Sequence, residues 1–180
     1  MKNFFEIKDV NFSSSKNHNL SNVNFQISKR GDTICLLGPS GVGKTTILRT
    51  IAGLEKIHSG EIWLENKLIS SKSFHENPEN RHIALSFQDN CLFPHLSVKD
   101  NVELGLKVNS KRKKIDKKKI INKLFISNIL NKFPSQISAG EAQRVSLART
   151  ILSGPKLLLL DEPFSNIDPS LKEELQIELK

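Results

Sequence analysis

Early in the chain the apolar residues fall into short runs separated by polar punctuation. Val23, Phe25 and Ile27 alternate with Asn24 and Gln26, the two-residue period of a half-buried strand. Phe5, Ile7 and Val10 mark an earlier strand, and the polar stretch Ser13-Ser14-Ser15-Lys16-Asn17-His18-Asn19 turns the chain between them. After Arg30-Gly31-Asp32 comes a continuous apolar run, Ile34-Cys35-Leu36-Leu37, expected to be a strand. Residues 46–52 keep helical spacing and stop at Gly53, a fitting residue just past a helix end. Ser59-Gly60 reads as a turn, Ile62 and Leu64 as one face of a short strand, and Asn66-Lys67 as a hairpin tip. Residues 70–81 are polar enough for a loop, and residues 82–87 form a strand that delivers Gln88 at its end.

From Gln88 onward the period lengthens. Ser97 opens a helix with Asp100 in its first turn, and Ile115, Ile121 and Phe125 keep roughly helical spacing after a lysine-rich stretch. Residues 89–136 are therefore expected to be a mainly helical insert. Ser138 followed three places on by Glu141 is a capping box. It opens a helix with Ala142, Val145, Ala148, Ile151 and Leu152 as apolar positions, closed by Gly154-Pro155. Leu157-Leu158-Leu159-Leu160 is apolar without alternation, as in a strand buried on both faces of a parallel sheet. Asp168-Pro169 is an N-cap with proline in the first helical position, opening a final helix. Strands alternating with helices argue for an α/β protein whose ligand lies at the strand C-termini.

Composition changes this picture little. The 180 residues suffice for one sizeable core, and 27 Lys+Arg against 19 Asp+Glu leave a net charge of +8. Such charge suits phosphates, nucleic acid or an anionic membrane face, but no aromatic residues interrupt Lys111-Arg112-Lys113-Lys114 and Lys117-Lys118-Lys119, so a solvated surface is the simpler reading. Two cysteines, Cys35 and Cys91, are too few for a disulfide framework, so a reducing compartment is expected, with Cys35 as a small core residue. Glu6 and Asp9 occupy the place of a secretory signal's apolar segment, and no run is long enough to span a bilayer. A cytosolic or peripheral protein is expected.

The chemistry is concentrated in two stretches. Gly38-Pro39-Ser40-Gly41-Val42-Gly43-Lys44-Thr45 matches G-x-x-x-x-G-K-[ST], the phosphate-binding P-loop, in strand–loop–helix context. Its backbone N–H groups and the positive end of the next helix suit an anion; Lys44 adds a charge for the β/γ-phosphates and Thr45 a hydroxyl ligand for Mg²⁺. Residues 157–161 form an apolar strand ending in Asp161, a carboxylate able to hold Mg²⁺ through water, and Glu162 follows where it can orient or deprotonate an attacking water.

With these motifs in this order, the chain resembles the ATP-binding subunits of ABC transporters over essentially its whole length. The resemblance is carried by residues 38–45, by Gln88 at the Q-loop, and by Ile137-Ser138-Ala139-Gly140-Glu141 where the family has LSGGQ. Leu160-Asp161-Glu162-Pro163 (the Walker B strand end) and Ser165-Asn166-Ile167-Asp168 (the D-loop) complete it. It implies a P-loop NTPase with a RecA-like parallel-sheet core over residues 31–88 and 137–180. An antiparallel β subdomain would comprise about residues 1–30 with 59–72, and a helical subdomain residues 89–136. ATP and Mg²⁺ are the implied ligands. Gly38, Pro39, Ser40, Gly41, Val42, Gly43, Lys44, Thr45 and Thr46 would bind nucleotide; Thr45, Gln88 and Asp161 would face the metal; and Glu162 and Gln88 would serve catalysis. Ser138, Ala139, Gly140 and Glu141 would meet the nucleotide of a second subunit, with Asp168 in the D-loop, in a head-to-tail homodimer or a pair with another ABC subunit. Transmembrane permease subunits, through them a solute-binding protein, and a place on the cytoplasmic face of the plasma membrane are implied; nucleic acid is not. Residues 87–98 look like those of importers for iron(III), polyamines and thiosulfate or molybdate, and Pro78-Glu79-Asn80-Arg81 leans toward iron(III) or polyamine. A soluble ABC-type ATPase acting on nucleic acid or ribosomes, and a nucleotide-binding remnant without activity, stay open as alternatives.

Some positions depart from the family pattern. Ala139 stands at the first signature glycine, and Glu141 replaces the usual Gln while keeping the capping box. The family stacks adenine on an aromatic residue near the place of Ser14 or Ser15, whereas this chain has no Tyr, and Phe12 is offset. The family also continues beyond the D-loop helix with a core strand and a His. The chain is accordingly expected to be truncated, with an exposed sheet edge, low stability, and nucleotide binding that survives better than hydrolysis.

Overall fold

The computed structural model describes residues 3–13, 19–87, 89, 91–108, 115–163 and 165–166. They fall into two compact units, residues 1–83 and 84–180.

In the first unit, β1 (Phe5–Ser13), β2 (Asn19–Ile27), β3 (Ser59–Leu64) and β4 (Lys67–Ser71) form an antiparallel sheet in the order β2-β1-β3-β4. Phe5, Ile7, Val10 and Phe12 are all buried, although the step from Ile7 to Val10 is three residues rather than two. The pairing shifts there and Asp9 takes φ 48°, so a bulge returns the later residues to the core face. The bulge also explains Ser59-Gly60, expected as a turn but found to begin β3. A Cβ at Gly60 would strike the carbonyl oxygens of Lys8 and Asp9, so glycine here admits the bulged strand. The β3–β4 turn is Glu65–Asn66, both left-handed (φ 48° and 64°), one residue earlier than the expected tip.

Helix α1 (Lys44–Ala52) buries Ile47, Thr50, Ile51 and Ala52. Gly53 closes it in a left-handed conformation, its N–H donating to the carbonyls of Arg49 and Thr50. The run before the P-loop does not form the expected strand. Residues 33–38 have no regular structure, Leu37 is 87% exposed, and Ile34 and Cys35 are exposed too, so Cys35 is not a core residue. A strand exists only through ladder bonds to neighbours, and among the described residues no strand pairs with this segment.

In the second unit, β5 (Ile83–Ser86) pairs with β6 (Leu157–Leu160). The Asp161 N–H donates to the Ser86 carbonyl (3.2 Å), joining the C-terminal ends of both strands, so they run parallel. Leu157 and Leu159 are buried, whereas Leu158 and Leu160 are only partly so, among described residues that supply this sheet with two strands. The core lies among α2 (Val98–Val108), α3 (Lys117–Lys123) and α4 (Ala139–Leu152), where Val98, Val102, Ile121, Leu124, Ile126, Ile129, Val145, Leu147, Ala148 and Leu152 pack together. Burying each large aliphatic side chain contributes about 1.5–3 kcal/mol. Phe125, expected to keep helical spacing with Ile115 and Ile121, lies beyond the end of α3 with φ 52° and is exposed, because Leu124 and Ile126 take the inward positions. Asn101 is fully buried; its side-chain amide nitrogen donates to the carbonyls of Phe93, Leu96 and Ser97, and its oxygen accepts from the Phe93 N–H, which fixes the segment ahead of α2.

Candidate functional site

In the first unit the P-loop leads straight into α1. Gly43 stands in the N-cap position with φ 105°, and a Cβ there would come within 2.6 Å of the Leu20 side chain, so only glycine fits. No side chain caps α1, and its first turn holds no acidic residue. Its leading N–H groups are thus left for a ligand, as an anion site requires. The Lys44 ammonium turns back into the loop and donates to the carbonyls of Gly38 (2.7 Å) and Pro39 (2.8 Å). A cation held inside a glycine-bent loop, beside helix donors without an acid, is the donor set a triphosphate needs. Ser40, Gly41, Val42 and Thr45 are exposed, so the loop is open to solvent within this unit.

At the far end of α1 lies a cluster that sequence reading missed. Arg81 is 1% exposed, yet every part of its guanidinium is engaged. It donates to the carbonyls of Thr50 and Ile51 (3.1 Å each), the Glu76 carbonyl (2.8 Å), Ser70 Oγ (2.8 Å) and His75 Nδ1 (3.2 Å). Arg81 thereby occupies the negative end of the α1 dipole. Burial lowers its pKa to about 10, with Glu76 opposing the shift. His75 is held neutral with its proton on Nε2, because Nε2 faces the Gly53 carbonyl (3.1 Å) while Nδ1 must accept from Arg81. Its pKa lies below the usual 6.5, through burial first and then the neighbouring Arg81.

In the second unit, Asp161 is buried at the end of β6, and Glu162 follows with an exposed side chain and a left-handed backbone (φ 46°). Helix α4 opens with the expected capping box: Ser138 Oγ accepts the Glu141 N–H (3.2 Å), and the Glu141 carboxylate accepts the Ser138 N–H (2.8 Å). The latter bond holds the Glu141 carboxyl below the usual carboxylate range. Two residues of α4 reach the loop after β6. A Cβ on Gly140 would approach the Asn166 carbonyl oxygen to 2.5 Å, so the contact is open only to glycine. Gln143, 3% exposed and missed by sequence reading, bonds to residues 162, 165 and 166. It lies off the apolar stripe of Ala142, Val145, Ala148 and Leu152, on a face shared with Ser146 and Thr150, so nothing in the sequence signalled its burial.

Asp161, Glu162 and the 138–141 segment thus share the second unit, while residues 38–46 belong to the first. Gln88, Asp168, Ser14, Ser15 and the final helix expected from Asp168 lie outside the described residues.

The loop-to-helix geometry of residues 38–52 is that of a P-loop nucleotide-binding protein. Solved structures agree: two dimeric structures of one ABC transporter cassette, one in a post-hydrolysis state with ADP and Pi, superpose with TM-scores of 0.80 at 27% identity, covering 97% of this chain and 80% of that chain. A family model described as ABC transporter matches residues 20–165, and the chain belongs to that family. It is 40% identical over 177 residues to an iron(III) import ATP-binding protein of Haemophilus influenzae, covering 96% of this chain and 50% of that protein. It is 41% identical to a thiamine import ATP-binding protein of Photobacterium profundum, covering 90% of this chain and 67% of that one. A spermidine/putrescine import ATP-binding protein of Lawsonia intracellularis is 40% identical, with 97% of this chain and 47% of the relative covered. The chain thus spans about half the length of the iron and polyamine relatives.

Proposed function

We propose that this chain binds Mg²⁺-ATP through its P-loop and hydrolyses it to energise solute import. The observation that carries the reading is the uncapped start of α1 with Lys44 turned into the loop. In this reading residues 38–46 hold the phosphates, and Lys44 exchanges its two carbonyl partners for phosphate oxygens. Thr45, Asp161 and Gln88 hold the magnesium, which when bound neutralises charge on the phosphates. Glu162 and Gln88 align the attacking water, and Ser138 to Glu141, with Asp168, serve a second subunit's nucleotide in a dimer. The importing relatives and the dimeric cassette support pairing with itself or another ABC subunit and docking on permease subunits served by a solute-binding protein. Among the described residues no helix is long and apolar enough to cross a membrane, which fits a peripheral place on the cytoplasmic membrane face. The cargo is chosen by other subunits; relatives named for iron(III) and for spermidine/putrescine are equally similar, which keeps the proposal at iron(III) or polyamine.

Titration with a fluorescent ATP analogue, with and without Mg²⁺, tests this reading. Lys44→Ala is expected to weaken binding roughly 10- to 100-fold, the worth of charge-assisted hydrogen bonds. Equal affinity in both proteins would sink it.

A further inference from the structure

The loop after β6 is held by one side chain of α4. Gln143 is buried at 3% exposure, and a primary amide so placed must find partners. Its Nε2 donates to the Glu162 carbonyl (2.9 Å) and to Ser165 Oγ (3.3 Å), while its Oε1 accepts the Asn166 N–H (3.1 Å). Both ends of one rigid amide therefore grip the backbone on either side of the turn that presents Glu162. The Glu162 carbonyl accepts a second bond, from the Ser165 N–H (3.2 Å). Glu162 itself takes φ 46°, a conformation that a non-glycine residue keeps only where its surroundings impose it. One turn before Gln143 and on the same face, Gly140 gives the Asn166 carbonyl room to approach. Helix α4 is a firm base for this grip, since its N-terminus is closed by the capping box and Val145, Leu147, Ala148 and Leu152 anchor it in the core.

We propose that Gln143 is a positioning residue for hydrolysis: it ties the backbone of Glu162 to α4, so that the carboxylate is aimed by the signature helix rather than by the exposed residues around it. This rests on the reading of Glu162 as the group that aligns the attacking water. Gln143 touches no phosphate and acts through the loop alone. Binding of nucleotide depends on the P-loop and is left unaltered, whereas the alignment needed for turnover is lost.

The test compares the full-length protein with Gln143→Met, Gln143→Glu and Glu162→Gln, following kcat, KM for Mg²⁺-ATP, fluorescent-nucleotide affinity and the thermal midpoint. Gln143→Met keeps the volume and removes all three bonds; kcat is expected to fall roughly 10- to 100-fold, the scale of a small misplacement in an active site, with KM and affinity unchanged. Gln143→Glu supplies a pH signature. Ionised, it can still accept from Asn166 but faces the Glu162 carbonyl with an oxygen; protonated, it can donate again. Its kcat relative to wild type is therefore expected to rise as pH falls. A wild-type kcat in Gln143→Met, a flat pH ratio for Gln143→Glu, or parallel losses of kcat, affinity and folded fraction would each overturn the positioning role. Full turnover in Glu162→Gln would instead remove the reading of Glu162 on which it rests, as would a wild-type protein that binds Mg²⁺-ATP without hydrolysing it.

Discussion

Helix α1 follows the P-loop and α4 precedes the acidic pair Asp161 and Glu162, and their first turns are built in opposite ways. The first turn of α1 has no side-chain cap and no acid, whereas that of α4 is closed by Ser138 and Glu141. At the other end, α1 is gripped by Arg81, His75 and Gly53, while the Ser153 N–H closes α4 on the Arg149 and Ile151 carbonyls. A helix start that keeps its donors for an anion forgoes the stabilisation of a cap, so its anchoring must come from elsewhere. The buried guanidinium supplies it. A helix that serves as a mount for a neighbouring loop gains from the reverse arrangement, and α4 holds the Glu162 turn through Gln143.

Breaking the α1 anchor should have the largest effect. Arg81→Met leaves the carbonyls of Thr50, Ile51 and Glu76 without their donor, and a loss of about 3 kcal/mol is expected in urea unfolding. A loss near zero would mean that α1 needs no anchor at its C-terminal end. On the α4 side, Ser138→Ala removes one cap acceptor and should cost about 1 kcal/mol, which lowers the thermal midpoint by about 2–4 °C. If Ser138→Ala proved as damaging as Arg81→Met, the contrast between the two helix ends would not hold.

Acid sharpens the comparison further. His75 has a folded pKa below its usual 6.5, so the unfolded chain takes up more protons than the folded one as pH drops through that region. Its contribution is therefore fully present above 6.5 and is lost as pH falls toward the folded value. Protonation would set an Nδ1–H against the Arg81 guanidinium, with Lys56 adding like charge and the bond to the Gly53 carbonyl opposing it. Urea midpoints measured between neutral pH and about pH 5 should fall for the wild type and fall less for His75→Gln. The smallest effect is expected from Glu141→Gln, which keeps the capping oxygen and loses only a charge near the helix start, a few tenths of a kcal/mol in thermal unfolding.

Local signals carried much of this fold because they depend on neighbours in the chain. Ser138 and Glu141 form their cap three residues apart, Gly53 stops α1, and Val23, Phe25 and Ile27 alternate as strand residues do. Where the reading slipped, the local pattern did not decide the outcome. Gly60 looked like a turn glycine until β1 supplied the bulge it accommodates. Phe125 kept helical spacing, yet α3 stops before it. Ile34 to Leu37 has the composition of a core strand but lacks a described partner, and composition cannot provide ladder bonds.

The sequence by itself determined that this chain carries a P-loop, an acidic pair after an apolar strand and a capped signature helix, because each is a contiguous motif whose chemistry follows from residue type and spacing. Only the tertiary structure decided that Arg81 would be the anchor of α1 and Gln143 the clamp on Glu162. Both bond to residues 19 to 31 positions away, and a polar side chain's burial and partners are set by which backbone folding brings beside it.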